Sequence, residues 1–409
     1  MTAPDATMSF LPSSRAMSTL GLYIQVPFCA SKCSFCNFSS RVERTPPFDR
    51  YAEGLRRELL AWESQAAERG ISHEILAQTV DSAYMGGGTP TLLGADRLRI
   101  VVRALRERTS WGKEVEFTLE TTPGSADAEM VFALHALGVN RLSIGAQTFD
   151  DRELRSVGRL HSADQTVDLV QAARRAGFRN LSLDLIAGLP HQTAQSFRHN
   201  LEHLARLRPE HISLYLFEAD ENSRLGKQVV HSGKLYHADA VPSEEFMVEA
   251  YEYGCEFLAG EGYIQYEISN FALPGFESRH NRKYWQLAPY VGLGAGAHSF
   301  DGVRRWSNHT EVGRYLADLD GGRGPIDECR TLSPGERLEE FFFLGLRQAE
   351  GIDLTTARDY WGRDCLGPWE DKIQRLAREG VLVVEGSWVR LARRAYLISN
   401  EIFQEFVSV

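Results

Sequence analysis

The 409-residue sequence lacks several features that would place it at a membrane or on a nucleic acid. No apolar run reaches the roughly eighteen residues that span a bilayer. The first residues, MTAPDATMSFLPSSRAMS, lack the basic start and apolar core of a secretory signal. Basic residues are not in excess, because 45 Lys and Arg accompany 55 Asp and Glu for a net charge of −10. We therefore expect no transmembrane segment, no nucleic-acid partner and a cytoplasmic location.

Cysteine is also scarce, with six residues in the whole chain. Since the cytoplasm keeps thiols reduced, a disulfide framework is not expected. Three cysteines nevertheless fall within eight positions, at Cys29, Cys33 and Cys36. The others stand alone and are interpreted as structural thiols: Cys255, Cys329 and Cys365. The clustered three therefore need an explanation of their own.

What the sequence does contain is a regular alternation of strand and helix patterns. Strands are expected at 21–26, 80–85, 115–119, 140–146, 180–186 and 211–217, and helices at 48–67, 94–108, 126–137, 164–176 and 193–206. Such alternation is typical of parallel βαβ units. Because polar or glycine-rich residues follow each strand, the pattern favours an open (βα)6 partial TIM-type barrel over a doubly wound sheet, with function at the carboxyl ends of the strands.

The α/β chain is predicted to contain four segments. They are a disordered N-terminal tail at 1–19, the barrel at 20–220, an accessory α/β segment at 221–325 and a C-terminal module at 326–409. The accessory segment is expected to hold a helix at 245–262. The C-terminal module is expected to combine helices with a β-hairpin around Gly386-Ser387, which resembles a winged helix.

The motif Cys29-x-x-x-Cys33-x-x-Cys36 is the strongest local signal. Thiolates are soft ligands that suit zinc or iron–sulfur clusters. A zinc site takes four ligands, commonly two pairs separated by a longer gap. Three cysteines in one loop suit a four-iron cluster that leaves one iron open for a small molecule. The spacing alone leaves a second interpretation, a zinc site completed by His or Asp from elsewhere in the chain.

The residues around this loop, QVPFCASKCSFCNF, resemble the signature of the radical S-adenosylmethionine (SAM) superfamily, including Phe35 before the third cysteine. The resemblance implies a [4Fe–4S] cluster held by Cys29, Cys33 and Cys36, with SAM bound to the open iron. In that superfamily one electron cleaves the sulfonium and releases a 5′-deoxyadenosyl radical. A one-electron reductant of the flavodoxin or ferredoxin class is therefore an implied partner.

The same resemblance implies the SAM-binding residues. GGGTP follows a strand, and a glycine run there allows a ligand to approach the backbone closely. Asp184 lies within an apolar strand, where an unpaired buried carboxylate would be costly, so it must be paired or functional. The positions that match the SAM pocket of the superfamily are Tyr23, Phe35, Gly86, Gly87, Gly88, Thr89, Glu120, Gln147, Arg159 and Asp184.

The ordered motifs YIQVPFC, GGGTP, GVNRLSIGAQTF, DLIAGLPHQT, HNRKYW and YVGLGAGAHS resemble the oxygen-independent coproporphyrinogen III oxidase family, and more closely its heme-chaperone branch. The likeness is dense over about residues 21–300. Three features depart from it. Phe38 stands where the oxidases have a fourth cysteine, the N-terminal segment shows no substrate-gating arm, and Gln25 replaces the usual His before V/I-P-F. The first two departures count against decarboxylation of coproporphyrinogen.

His280 opens the HNRKYW motif, which resembles the family's H-N-x-x-Y-W motif linked to heme binding. A neutral imidazole can ligate heme iron, while Tyr284 and Trp285 pack on the macrocycle. The alternative is that His280 and Asn281 brace the loop and the aromatic residues form core. His298 is a second candidate ligand. The resemblance thus implies a heme-binding chaperone that delivers heme to an acceptor protein.

Three other functions stay open from the sequence. One is a radical SAM methylase or cyclopropane-forming enzyme that uses two SAM molecules on a small-molecule natural product. The unusual stretch at 217–242 keeps it open, with Glu218, Tyr236 and His237 as candidate proton-transfer groups. The second is an oxygen-independent coproporphyrinogen III oxidase, and the third a SAM-binding sensor without turnover.

Overall fold

The computed structural model describes residues 19–407, so the expected tail at 1–19 lies, except for Thr19, outside the described residues. The strands are β1 (Thr19–Val26), β2 (Thr79–Gly87), β3 (Ser110–Thr121), β4 (Arg141–Gln147), β5 (Leu181–Ala187), β6 (His211–Leu216), β7 (Ile264–Gln265), β8 (Asn270–Ala272), β9 (Tyr290–Leu293), β10 (His298–Phe300), β11 (Arg304–Asn308), β12 (Ile326–Thr331), β13 (Ile352–Asp353), β14 (Leu382–Glu385) and β15 (Trp388–Leu391). The α-helices are α1 (Phe48–Leu60), α2 (Trp62–Glu68), α3 (Ala95–Arg108), α4 (Ala128–Ala136), α5 (Asp151–Ser156), α6 (Ala163–Ala176), α7 (Ala194–Leu207), α8 (Arg224–Val230), α9 (Glu244–Gly260), α10 (Arg279–Trp285), α11 (Val312–Asp320), α12 (Pro334–Gly345), α13 (Leu354–Trp361), α14 (Gly367–Arg378) and α15 (Ser399–Gln404). Short 3₁₀ helices occupy His73–Ala77, Pro90–Leu93, Leu235–Ala240, Arg363–Leu366 and Arg393–Ile398.

A twelve-stranded sheet in the order β12-β11-β10-β9-β1-β2-β3-β4-β5-β6-β8-β7 forms the centre of the molecule. Strands β1 to β6 are parallel and neighbour one another in chain order. A doubly wound sheet would instead reverse its strand order at a switch point. The outer edges of this run pair with β9 and β8 rather than with each other. The open (βα)6 partial barrel predicted from the sequence is therefore confirmed.

Apolar and polar residues alternate along the barrel strands, so each strand has one apolar face and one more polar face. In β1 the alternate residues Leu20, Leu22, Ile24 and Val26 are all fully buried, whereas Tyr23 and Gln25 lie on the other face. Helix α6 ends where the sequence indicated, because Gly177 adopts the left-handed conformation with φ of 101°. These strands and helices fix the six strand ends at one face of the barrel.

The helix expected at 48–67 is two helices in the structure. Helix α1 ends before Ala61, whose φ of −89° and ψ of 4° turn the chain. The turn brings Trp62 into the core, where its indole Nε1 donates to the carbonyl of His73 at 3.3 Å. Apolar periodicity alone does not reveal this break, since both helices present apolar residues to the same core.

The segment at 221–325 extends the main sheet at both ends rather than forming a separate layer. Strands β7 and β8 add to the β6 edge, and β9, β10 and β11 add to the β1 edge. Strand β12 also pairs with β11, so the main sheet continues to Thr331. The C-terminal module follows, with the sheet β13-β15-β14 and its own apolar core. Between residues 19 and 407 no helix is both long and apolar enough to cross a bilayer.

Candidate functional site

The cysteine loop is closed at its base by short backbone pairing. Phe28 forms a parallel bridge with Arg41, in which the Cys29 amide donates to the Arg41 carbonyl at 3.0 Å. Within the loop, the Ser34 amide donates to the Val157 carbonyl at 3.0 Å, and the Leu225 amide donates to the Ser34 carbonyl at 2.7 Å. The loop is therefore held from three directions, although it has no regular secondary structure.

A cavity of about 320 Å³ lies against this loop at the carboxyl ends of the barrel strands. It brings together most of the residues that the sequence singled out. Those lining it are Cys29, Cys33, Phe35, Cys36, Gly87, Gly88, Thr89, Glu120, Gln147, Arg159 and Asp184. Tyr23, Gly86 and His280 lie outside its lining.

The glycine run allows the end of β2 to contact the cysteine loop. The Gly88 amide donates to the Val26 carbonyl at 2.9 Å, and the Thr89 amide donates to the Phe28 carbonyl at 2.7 Å. A Cβ on Gly88 would lie 2.5 Å from the Phe28 carbonyl oxygen, which is backbone and cannot move aside. Gly86 has a related role outside the cavity, since a Cβ there would lie 2.7 Å from the Glu120 carboxyl.

The three thiols are half-buried, and two of them have hydrogen-bond donors beside them. Thr89 Oγ1 lies 3.9 Å from Cys29 Sγ, and Arg159 Nη1 lies 3.5 Å from Cys33 Sγ. Hydrogen bonds to the ligand sulfurs are among the features that tune a bound iron–sulfur cluster. Arg159 is itself anchored by Nη2, which donates to the Gly145 carbonyl.

The arrangement of these thiols distinguishes the two metal hypotheses. Among residues 19–407 no group of three or more His, Cys, Asp or Glu side chains is arranged to hold a single metal ion. A zinc site would need such a convergent set. An iron–sulfur cluster takes one thiolate on each of several irons, so it suits three cysteines spaced around a cavity. The donor set therefore fits a [4Fe–4S] cluster.

Two half-buried carboxyl groups, Glu120 and Asp184, lie in the wall of the cavity. Tyr84 OH donates to Glu120 Oε1 at 2.7 Å, and the Gly87 amide donates to Glu120 Oε2 at 2.9 Å. Burial raises the pKa of Glu120 to about 7 and that of Asp184 to about 6, although Arg141 lowers both. A cationic ligand in the cavity would favour their ionised forms. The wall is therefore suited to a ligand that carries an ammonium or sulfonium group.

The end of β4 is irregular where it meets the cavity. Gln147 has a φ of 69°, a left-handed conformation that is unusual for a residue other than glycine. The pairing of β4 with β5 shifts register between Ile144 and Gln147. Gly145 makes room for this bend, because a Cβ there would lie 2.8 Å from Gln147 Nε2. Such local strain is often found at functional sites, and here it accompanies a glutamine that lines the cavity.

Tyr23 lies behind the cavity rather than in its wall. Its hydroxyl donates to Gln25 Oε1 at 2.6 Å, and Gln25 stands where the family usually has His. Tyr23 lines a neighbouring cavity with Glu120, and His298 is exposed there.

His280 is fully buried, and both of its ring nitrogens have partners. Nδ1 lies 3.1 Å from Ser82 Oγ, and Nε2 lies 2.8 Å from Tyr284 OH. Burial lowers the pKa of His280 to about 3, so the ring is neutral. These contacts match a histidine that braces its surroundings, since an iron atom would have to displace one partner.

A second cavity of about 600 Å³ adjoins the first. The two share Phe35, Phe38, Glu120, Ser143, Gln147 and Asp184. The far wall comes from the C-terminal module, through Arg347, Tyr396, Leu397, Ser399 and Asn400. Glu218 also lines this cavity, whereas Tyr236 and His237 lie outside it. A ligand here would lie beside both the first cavity and the C-terminal module.

Two site residues escaped the sequence analysis, Tyr84 and Arg141. Tyr84 holds the Glu120 carboxyl, and Arg141 lines the second cavity. The sequence did contain a signal for Arg141, because a charged residue is unusual in an apolar strand such as NRLSIGA. Asp184 was noticed for the same reason in its own strand. Tyr84 had none, since an aromatic residue in a strand is ordinary.

Family models place this architecture among known proteins. The radical SAM superfamily matches residues 23–204, and the HemN C-terminal domain matches residues 332–398. The heme chaperone HemW of Bacillus subtilis is 32% identical over 94% of this chain and 98% of the relative. The chain belongs to the HemW family of radical SAM proteins. This membership confirms the family and branch that the sequence motifs resemble.

Other relatives support the HemW assignment. HemW of Escherichia coli is 30% identical over 84% of this chain and 93% of the relative. The mouse mitochondrial radical S-adenosyl methionine domain-containing protein 1 is 34% identical over 91% of this chain and 84% of the relative. The fold is also that of coproporphyrinogen III oxidase from Escherichia coli, with a TM-score of 0.81, 24% identity, and coverage of 96% and 90% of the two chains.

Proposed function

We propose that this chain binds heme and delivers it to an acceptor protein. The observation that carries the proposal is the similarity to HemW of Bacillus subtilis, which extends over 98% of that heme chaperone. Phe38, in place of a fourth cysteine, supports the chaperone over the oxidase. The cavity between the barrel and the C-terminal module offers space for a ligand beside the SAM pocket.

Cys29, Cys33 and Cys36 would hold the [4Fe–4S] cluster, with Arg159 donating to one of their sulfurs. When bound, the cluster and SAM together supply reductive cleavage of the sulfonium. The Glu120 carboxyl, fixed by Tyr84 and Gly87, is suited to the amino group of SAM. The remaining polar side chains proposed for SAM line the same cavity: Thr89, Gln147 and Asp184.

We propose His298, rather than His280, as the ligand of the heme iron. His298 is exposed beside an aromatic wall that includes Tyr284 and Tyr290, and burial of part of its ring lowers its pKa. A neutral imidazole is the form that ligates iron. His280 is fully buried with both ring nitrogens engaged.

The proposal extends to partners and location. The electron donor would be a one-electron reductant of the flavodoxin or ferredoxin class, and the recipient of heme an acceptor protein. We propose a cytoplasmic location, because Cys29, Cys33 and Cys36 must be reduced to hold a cluster and the cytoplasm keeps thiols reduced.

The test is an anaerobic heme titration of the reconstituted protein, followed by the heme absorption band. Stoichiometric binding is expected, with transfer of the band to an added apo-protein that has an empty heme pocket. A triple variant with the three cluster cysteines changed to Ala shows whether the cluster contributes to heme binding. The heme affinities of His298→Ala and His280→Gln show which histidine ligates the iron.

Two outcomes would contradict the proposal. If heme does not bind and S-adenosylhomocysteine forms with natural-product substrates, the chain is a methylase. If coproporphyrinogen III loses carboxyl groups, the chain is an oxidase.

A further inference from the structure

Arg141 is a buried arginine without an ion pair. Its side chain is 2% exposed, at the start of β4. Nη1 donates to Thr118 Oγ1 at a long 3.5 Å, and the buried Nε has no partner. No carboxylate of residues 19–407 lies within ion-pair distance of its guanidinium. Burying a charge without a partner is costly, so an unpaired guanidinium in the interior calls for an anion that is bound there.

The guanidinium of Arg141 lines the second cavity, where a ligand could reach it. The nearest acidic groups are occupied elsewhere. Glu120 accepts from Tyr84 and from the Gly87 amide, and Asp184 accepts from Ser213. The charge of Arg141 lowers the pKa of both carboxyl groups, but neither forms an ion pair with its guanidinium.

The other titratable groups around the cavity do not supply the missing anion. His211 is buried, with a pKa lowered by burial and by the charge of Arg141 itself. Glu218 is exposed at the rim, and Asp220 is held by Asn37 at 2.6 Å. Arg347 lies on the wall contributed by the C-terminal module, where it stacks on Trp285 and already has a counter-charge, Glu267, at 3.7 Å.

The cavity has both polar and apolar walls, and Ile186, Leu214, Phe217 and Ile268 belong to the apolar part of its lining. Such a lining suits a ligand that has an apolar body and also carries a carboxylate. A guanidinium binds a carboxylate through two parallel hydrogen bonds, which gives orientation as well as affinity.

We infer that Arg141 binds a carboxylate of the ligand that fills the cavity between the barrel and the C-terminal module. The identity of that ligand as heme rests on the proposed function, in which case the carboxylate is a propionate. The amino-acid carboxylate of a second SAM molecule offers the same chemistry.

The first arm compares heme with its dimethyl ester, in which both propionates are blocked, on the reconstituted protein. Wild type is expected to bind heme at least about tenfold more tightly than the ester, because a charge-assisted pair is lost. Arg141→Gln is expected to bind both equally, and Arg141→Lys to restore part of the difference. The exposed Arg155→Gln serves as a matched control that retains the wild-type discrimination.

The second arm measures the number of SAM molecules bound at equilibrium. A fall from two to one in Arg141→Gln, with the heme affinity unchanged, assigns the carboxylate to a second SAM and supports the inference. If the variant matches wild type for heme, ester and SAM, Arg141 has no ligand carboxylate and the inference fails.

The experiments test the heme function and the role of Arg141 independently of each other. Wild type that does not bind heme overturns the heme function, while the SAM count still decides the role of Arg141. If Arg141→Gln does not hold the cluster, the inference is still tested by comparing heme with its dimethyl ester on the wild-type protein. If wild type binds heme and the ester with equal affinity, and binds one SAM per chain, the inference is overturned.

Discussion

Gly88 shows how closely the backbone is packed around the cysteine loop. We expect Gly88→Ala to lower the iron content after reconstitution and to destabilise the fold by about 2 kcal/mol, because the new Cβ would meet two carbonyl oxygens, of Phe28 and Val26, at 2.5 and 2.8 Å. Iron analysis and thermal melting measure the two effects. Gly260→Ala is the control, since no atom lies within 4 Å of its added Cβ. Equal behaviour of both variants would contradict the role of Gly88.

The buried His280 predicts a specific pH dependence of stability. Its pKa is about 3 in the folded state against 6.5 for an ordinary histidine, so the unfolded chain takes up a proton first as the pH falls. Stability is therefore complete above pH 6.5 and declines as the pH drops towards 3. For each proton that the unfolded chain takes up, the free energy of unfolding falls by about 1.4 kcal/mol per pH unit.

We expect His280→Gln to reduce this slope by about one proton between pH 6.5 and 4.5, in urea unfolding at a series of pH values. Tyr284→Phe is the control, because it removes a hydrogen-bond partner but keeps the buried imidazole. His211, whose pKa burial also lowers, maintains part of the slope in both variants. A slope unchanged by His280→Gln would show that His280 does not titrate in this way.

Among single residues, the sequence predicted those whose role follows from the residue type and from its spacing along the chain. Cys29, Cys33 and Cys36 were predicted as a group, and they line one cavity. Whether a histidine is open or enclosed depends on tertiary neighbours, so Ser82 and Tyr284 around His280 could not be foreseen. The same holds for Arg141, whose missing partner is visible only in the folded chain.

Among the elements, helix α1 is joined to the β9–β10 loop and to α11 by one buried carboxyl. Glu58 accepts from the Gly294 amide at 2.8 Å, from Tyr315 OH at 2.7 Å and from Asn308 Nδ2 at 2.5 Å. We expect Glu58→Ala to lower the free energy of unfolding by about 3 kcal/mol, since three buried donors lose their acceptor. Urea unfolding measures it, and the exposed Glu63→Ala should change little. A loss below about 1 kcal/mol would mean that water replaces the carboxyl.

Hydrophobic periodicity predicted the ends of those strands and helices that pack one face against the core. The strand expected at 211–217 is His211–Leu216, and the helix expected at 193–206 is Ala194–Leu207. Strand β3 begins at Ser110, five residues before its expected start, because its polar first half gains pairing with Thr79 in β2. Such pairing depends on a partner far along the chain, so local pattern does not reveal it.

For the whole molecule, the ion pair between Arg305 of β11 and Glu340 of α12 helps to link the main sheet to the C-terminal module. Arg305 Nε and Nη2 donate to the two carboxylate oxygens of Glu340 at 2.8 and 2.7 Å. We expect Glu340→Leu to destabilise the protein by about 2 kcal/mol, less than for a fully buried pair because the Arg305 side chain is 27% exposed. The double variant with Arg305→Met should recover part of the loss.

Thermal unfolding of the two single variants and the double variant measures that coupling. Effects that simply add would show that the two side chains act independently. Glu350→Gln is the comparison, since its pair with Arg282 lies at the surface, where such pairs contribute little.

The position of β1 in the main sheet has a consequence for synthesis of the chain. This strand carries the cysteine loop, and its neighbours are β2 and β9, the second of which ends at Leu293. A growing chain therefore presents β1 as an unprotected sheet edge until β9 has been made, because chains emerge from the N-terminus. The cysteine loop does not depend on that late pairing, because its backbone partners Arg41, Val157 and Leu225 all precede β9 in the chain.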